Sequence, residues 1–121
     1  MDTKILAVDD SRTMRDMVTL ALKDQGFNVT TAEDGMDGLE ALEKMEPDAI
    51  ITDINMPRLD GFGFIDAVRD RPETKGTPIL VLTTESSAEL KSRARDAGAT
   101  GWIVKPFAPE KLIKALRMVT G

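Results

Sequence analysis

Apolar residues along the chain fall into two alternating patterns, which are short continuous runs and longer stretches with helical spacing. The runs at residues 5–8, 49–52, 79–83 and 101–104 are almost continuously apolar and mostly β-branched. This composition is typical of strands that are buried on both faces of a sheet. A fifth run at residues 28–32 is more polar, and it predicts a strand at the edge of the sheet.

Five stretches between and after these runs repeat their apolar residues at the spacing of an amphipathic helix. The stripe residues are Met14, Met17, Val18, Ala21 and Leu22; Leu39 and Leu42; Phe62, Ile65 and Val68; Leu90, Ala94 and Ala97; and Leu112, Ala115, Leu116 and Val119. The fourth stripe is thin and rich in alanine. We therefore expect the fourth helix to dock weakly on the rest of the protein.

The alternation of strand and helix, repeated five times, determines the expected fold class. Parallel strands need crossover connections, and these connections are right-handed, so helices cover both faces of the sheet. We predict one doubly wound α/β domain over residues 1–121, with a five-stranded parallel sheet and five helices. Ligands bind such sheets beyond the carboxyl ends of the strands.

Charged and hydroxyl side chains are found at the predicted carboxyl ends of four strands. They are Asp9 and Asp10 at the first run, Asp53 at the third, Thr83 and Thr84 at the fourth, and Lys105 at the fifth. Each has an ordinary explanation when taken alone, such as Asp10 or Ser11 capping the first helix. Their joint occurrence at one rim of the sheet predicts a functional site.

Three clustered carboxylates repel one another and raise one another's pKa unless a cation neutralises them. The chain has no histidine and no cysteine, so the ligands of such a cation are oxygen atoms. Oxygen ligands favour a hard ion, and a site with few protein ligands suits Mg²⁺ better than Ca²⁺. With the ammonium of Lys105 at the same rim, the arrangement is typical of phosphoryl transfer.

Composition narrows the possible partners and location. The net charge of −5 weighs against a nucleic-acid surface, which is usually basic. No apolar run approaches the roughly 18 residues that span a bilayer, and the N-terminal residues do not resemble a signal peptide. We expect a cytoplasmic protein with no membrane or nucleic-acid partner.

Four motifs, AVDDS, TDINMPRLDG, VLTTE and GWIVKPF, follow one another along the chain, each at the end of a predicted strand. In this order they resemble the receiver domains of two-component response regulators, and most closely the stand-alone, CheY-like chemotaxis regulators. The resemblance spans essentially the whole chain. It implies the flavodoxin-like strand order 2-1-3-4-5.

The resemblance also implies the role of each site residue. Asp53 would be the nucleophile that becomes an aspartyl phosphate. Asp10 and Asp53 would bind Mg²⁺ directly, Asp9 would act mainly through bound water, and the backbone carbonyl of Asn55 would complete the protein ligands. Lys105 would pair with the phosphoryl oxygens.

Further roles follow from the same resemblance. The peptide bond between Lys105 and Pro106 would be cis. The hydroxyls of Thr83 and Thr84 would lie at the phosphate. Movement of Thr83 would draw the aromatic residue of the fifth strand, here Trp102, inward as the switch.

The resemblance also predicts how long the phosphoryl group lasts before hydrolysis. Asn55 and Glu85 occupy the positions at which the family tunes phosphoryl lifetime. The pairing resembles that of short-lived regulators, and it predicts hydrolysis over seconds to minutes.

A protein without histidine cannot be its own phosphohistidine donor, so the expected donor is a separate, CheA-like sensor histidine kinase. Small donors such as acetyl phosphate should also work. The expected output is contact with a protein target, such as an acidic segment of a flagellar motor switch protein. The face that would bind it comprises the fourth helix, fifth strand and fifth helix, with Lys91, Arg95, Trp102, Lys111 and Lys114.

Three alternatives remain open from the sequence. The protein could be a phosphate sink or phosphorelay shuttle for a shared kinase, or a piece of a longer transcription regulator. It could also be a haloacid dehalogenase-like phosphatase, although in that class the acceptor follows the first strand in a DxD pattern. Here Asp53-Ile54-Asn55 follows the third strand and lacks the second acid.

Overall fold

Strands and helices alternate along the chain as the hydrophobic pattern predicts. The computed structural model describes residues 2–121; the predicted domain starts at residue 1, which lies outside this range. The strands are β1 (Lys4–Val8), β2 (Asn28–Ala32), β3 (Ala49–Thr52), β4 (Ile79–Thr83) and β5 (Gly101–Val104). The helices are α1 (Arg12–Lys23), α2 (Gly35–Leu42), α3 (Gly61–Asp70), α4 (Ala88–Ala97) and α5 (Pro109–Thr120).

All pairings between neighbouring strands are parallel, and the strand order is β2-β1-β3-β4-β5. The predicted fold class and strand order are therefore confirmed. The edge position predicted for β2 is also confirmed, because within residues 2–121 that strand pairs with β1 alone.

The prediction that residues 101–104 are buried on both faces is wrong. Residues of β5 are at most half-buried, and Val104 is 42% exposed. The reason is position, because β5 forms the second edge of the sheet and has a neighbour on one side alone. An apolar run of four residues does not distinguish an edge strand from a central one.

Side chains of the three central strands point alternately to two separate cores. Leu6, Ile50 and Val81 face one core with α3, whereas Ile5, Ile51, Leu80 and Leu82 face the other with α1 and α5. Phe64 and Ile65 of α3 are fully buried in the first core. Leu22, Leu112 and Leu116 are fully buried in the second. The three central strands are therefore packed on both faces, and this packing positions their carboxyl ends.

Helix α4 has the weakest apolar attachment, as its thin stripe predicts. Ala94 is its one buried residue within the described range. Two arginines contribute polar contacts instead, since Arg93 lies 4.0 Å above the ring centroid of Phe62 and Arg69 hydrogen-bonds the carbonyl oxygen of Gly98. Among residues 2–121, no helix combines the length and hydropathy needed to cross a membrane.

Candidate functional site

Asp9, Asp10 and Asp53 meet at the carboxyl end of the sheet. Strands β1 and β3 are neighbours, with Val8 in register with Thr52, so the residues that follow them are brought side by side. One carboxylate oxygen from each aspartate lies within 4.8 Å of the other two. The local structure leaves Asp10 available, because Ser11 is the residue that caps α1, accepting from the amide of Met14.

Lys105 connects two of these carboxylates. Its Nζ donates to Oδ2 of Asp9 at 2.7 Å and to Oδ2 of Asp53 at 2.9 Å. The remaining oxygens of the two residues accept backbone amides, Ser11 N–H to Asp9 Oδ1 and Ile54 N–H to Asp53 Oδ1. Asp9 and Asp53 are buried, whereas Asp10 is exposed. The site therefore combines two enclosed acids, one solvent-facing acid and one ammonium.

Burial has a larger effect on these groups than the sequence argument assumed. The pKa of Asp9 is raised chiefly because burial disfavours the charged carboxylate, while the hydrogen bonds from Lys105 and Ser11 oppose the rise. The charge of Asp53 makes a smaller contribution in the same direction. Burial alone would lower the pKa of Lys105, but its hydrogen bonds to Asp9 and Asp53 raise it overall.

The donor set at this edge fits a small, hard divalent cation. Three carboxylates supply oxygen ligands only, and the exposed Asp10 leaves one side open to water and an incoming anion. Burial disfavours the charged form of Asp9 and raises its pKa even with the Lys105 ammonium beside it. A bound cation would reduce that penalty.

The end of β4 places a hydroxyl at the same rim. Thr83 is fully buried, and its Oγ1 accepts the amide of Glu85 at 3.3 Å. Thr84 follows it and is exposed. At the end of β5, the peptide bond between Lys105 and Pro106 is cis.

Glu85 links the site to β5. Its Oε1 accepts from Nδ2 of Asn55 at 2.9 Å, and its backbone carbonyl accepts from the indole Nε1 of Trp102 at 3.1 Å. Trp102 is half-buried. A continuous set of hydrogen bonds therefore joins the loop after Asp53 to the aromatic residue of β5.

The residues predicted for a partner surface are only partly brought together. Lys91, Arg95 and Trp102 line one groove between α4 and β5. Lys111 and Lys114 are exposed on α5, and Lys114 lines a different groove, together with Gln25.

Three charged residues form contacts at or near the site that no pattern in the sequence predicts. Arg15 donates from Nη1 to the carbonyl oxygen of Asp9 at 2.7 Å. Arg58 and Asp34 form a two-point ion pair between the β3–α3 loop and the start of α2. The partners are 24 residues apart in the sequence, and no local pattern connects them.

Comparison with known proteins identifies the family. Residues 5–117 match the family model described as the response regulator receiver domain. A probable chemotaxis protein CheY of Rhizobium etli is 39% identical over 119 residues, which cover 98% of this chain and 92% of the relative. Residues of this chain therefore align along nearly the whole length of a curated relative.

Solved structures agree in fold. The chemotaxis response regulator CheY4 of Vibrio cholerae superposes with a TM-score of 0.93 at 50% identity, covering 98% of this chain and 99% of that one. The receiver domain of a sensor histidine kinase from Pseudomonas aeruginosa, with a magnesium ion in its active-site cleft, superposes with a TM-score of 0.92 at 26% identity. That match covers 100% of this chain and 99% of that one.

The chain belongs to the response regulator receiver family, and it is CheY-like. Receiver domains are signalling proteins that bind Mg²⁺ in an acidic site and accept a phosphoryl group from histidine kinases.

Proposed function

We propose that this protein is a Mg²⁺-dependent phosphoacceptor whose acceptor is Asp53. The observation that carries the proposal is the cluster of Asp9, Asp10 and Asp53 with Lys105 bridging two of its members. In the reaction, a carboxylate oxygen of Asp53 attacks phosphorus, and the bond from phosphorus to the donor breaks. The donor leaves with the electron pair, and an acyl phosphate remains.

The residues around Asp53 have distinct parts in this proposal. Asp10 and Asp53 would hold Mg²⁺ directly, Asp9 through water, and Asn55 through its backbone carbonyl. The bound ion would neutralise charge on the phosphoryl oxygens. Lys105 would move from the carboxylate of Asp53 to the phosphoryl group, because a phosphorylated Asp53 offers more negative charge further from the backbone.

The hydrogen-bond set at Glu85 supports a role in phosphoryl lifetime and in switching. Asn55 and Glu85 join across the mouth of the site, where they can position or exclude the hydrolytic water. Thr83 would turn its hydroxyl from the amide of Glu85 toward the phosphate, together with Thr84. Because Trp102 is hydrogen-bonded to Glu85, the movement of Thr83 would be transmitted to β5.

Incubation with acetyl phosphate followed by intact-mass measurement tests the acceptor chemistry. We expect one phosphoryl adduct that requires Mg²⁺ and disappears in Asp53→Asn. Asp66→Asn, which removes an exposed acid of α3, is the matched control and should retain the adduct. No adduct on the folded parent protein, with Mg²⁺ present, would contradict the proposal.

For the donor and target, we propose a CheA-like sensor histidine kinase and a flagellar motor switch protein. Support comes from the chemotaxis relatives and from the cationic groove lined by Lys91, Arg95 and Trp102. Lys111 and Lys114 would extend this surface along α5. The alternative is a phosphate sink or shuttle, which would have no motor target.

Affinity for the purified motor switch protein separates the two roles. A motor regulator gains affinity on phosphorylation, and charge reversal at Lys91 or Lys114 should reduce that affinity. A phosphate sink gains none. Unchanged affinity in both charge-reversal variants would exclude this surface.

A further inference from the structure

Arg58 has an unusual backbone conformation for a residue with a side chain. Its φ is 65°, which lies in the left-handed region. Crowding between Cβ and the following carbonyl makes this region unfavourable for most residues other than glycine, asparagine and aspartate. A non-glycine residue keeps such a conformation only when its surroundings enforce it.

Arg58 forms a two-point ion pair with Asp34, and the arginine side chain is itself 59% exposed. Arg58 Nε donates to Asp34 Oδ2 at 2.7 Å, and Arg58 Nη2 donates to Asp34 Oδ1 at 2.9 Å. The side chain of Asp34 is only 5% exposed, and it also caps α2 by accepting from the amide of Asp37. The Arg58 hydrogen bonds are the main reason that the pKa of Asp34 is lowered. Asp34 is thus a fixed, charged anchor.

A second contact fastens the neighbouring residue. The amide of Gly35 donates to the carbonyl oxygen of Leu59 at 3.1 Å, and Gly35 has no room for a side chain against Leu59. Two consecutive loop residues, Arg58 and Leu59, are therefore attached to two consecutive residues at the start of α2. At the other end, the amide of Gly61 closes the loop on the carbonyl oxygen of Ile54 at 2.8 Å.

The loop held in this way, residues 53–60, carries Asp53 and Asn55. We propose that the Arg58–Asp34 ion pair positions this loop and so preorganises the Mg²⁺ site. Arg58 is then a positioning residue that acts through the loop backbone. This inference rests on the function proposed above.

Two variants remove the ion pair in different ways. Arg58→Gly deletes the guanidinium but suits the left-handed backbone, so it relieves strain while it breaks the pair. Asp34→Asn keeps a side chain that caps helices well and removes the charge. Calorimetric titration with Mg²⁺ measures binding directly in each. Lys75→Gly, at an exposed loop position away from the site, is the control.

We expect both variants to bind Mg²⁺ about tenfold more weakly than the parent, in line with the loss of residues that orient metal ligands. The double variant should be no weaker than either single variant, because both remove one interaction. If the ion pair served only overall stability, the variants would lower the thermal midpoint and bind Mg²⁺ as tightly as the parent. We expect Arg58→Gly to keep its thermal midpoint within a few degrees.

The parent titration separates this inference from the proposed function. If the parent binds no Mg²⁺, the proposed function fails, and the inference fails with it. If the parent binds Mg²⁺ and Arg58→Gly binds it equally well, the inference alone is overturned.

Discussion

Lys105 places a positive charge between two carboxylates of the site. Its ammonium contacts Asp9 and Asp53, whose carboxylates are otherwise enclosed beside each other. The identity of these three residues could be predicted from the sequence, because each follows a strand of a parallel sheet. Their degree of burial could not, since it depends on how the loops close over the strand ends. Burial proves to be the main cause of the raised pKa of Asp9.

Replacement of the ammonium should therefore destabilise the metal-free protein. In Lys105→Met, two buried carboxylates lose a charged donor, and we expect the free energy of unfolding to fall by about 2 kcal/mol without Mg²⁺. Saturating Mg²⁺ should recover part of this loss, because the ion supplies the missing positive charge. Urea unfolding with and without Mg²⁺ measures both values. An equal loss under the two conditions would show that Lys105 and the ion do not serve the same carboxylates.

Asp34 gives a pH dependence of known sign. The pKa of Asp34 is lowered below the ordinary value of 3.8. At pH values between the lowered pKa and 3.8, the unfolded chain therefore binds more protons than the folded one. The stability from the charged carboxylate is present above pH 3.8 and is lost as pH falls through the lowered pKa. We expect the stability difference between the parent and Asp34→Asn to shrink below that pH in urea unfolding. A difference independent of pH would contradict the charged pair.

Helix α4 packs on the rest of the protein with little apolar contact and is held partly by arginine side chains. Its thin stripe was visible in the sequence, and its weak apolar docking follows from that stripe. The contacts of the two arginines were not predictable, because Arg69 lies 29 residues before Gly98 and Arg93 reaches the ring of Phe62 on α3 only in the folded chain. Arg69 also donates to the carbonyl oxygen of Thr77 at 2.7 Å. One cation therefore joins the end of α4 to the loop before β4.

Loss of this cation should loosen the C-terminal end of α4. In Arg69→Gln, we expect backbone amides of residues 97–100 to exchange with solvent about tenfold faster, since hydrogen bonds to charged groups contribute about 1.5–3 kcal/mol. Hydrogen exchange measured by mass spectrometry reports the change. Arg95→Gln is the control, because Arg95 is exposed and hydrogen-bonds Ser92 within its own helix. Equal exchange in both variants would show that Arg69 does not hold this end.

Over the whole molecule, the predicted topology is confirmed because parallel pairing and right-handed crossovers leave few arrangements for five alternating units. The burial of a strand depends on whether the strand lies at an edge of the sheet. This was harder to predict, as the half-buried edge strand β5 shows. The site draws on residues that follow β1, β3, β4 and β5. Binding at it should therefore stabilise the entire fold.

Mg²⁺ should raise the free energy of unfolding of the whole protein by linkage. At a free concentration ten times its dissociation constant, the expected gain is about 1.4 kcal/mol. Thermal unfolding with Mg²⁺ or with a chelator measures this gain as a rise in Tm. Asp10→Asn, which removes the exposed carboxylate charge of the cluster, should reduce the rise, whereas Asp66→Asn should not. Identical Tm values for the parent with and without Mg²⁺ would contradict a bound ion.

The residue that carries the phosphoryl group can be identified by chemical reduction. After incubation with acetyl phosphate and Mg²⁺, borohydride reduction converts an aspartyl phosphate to homoserine, and peptide mass mapping shows which residue has changed. If Asp53 is the acceptor, we expect homoserine at position 53 alone, and none when Mg²⁺ is chelated. Homoserine at position 9 or 10, or a stable adduct on another side chain, would contradict that assignment.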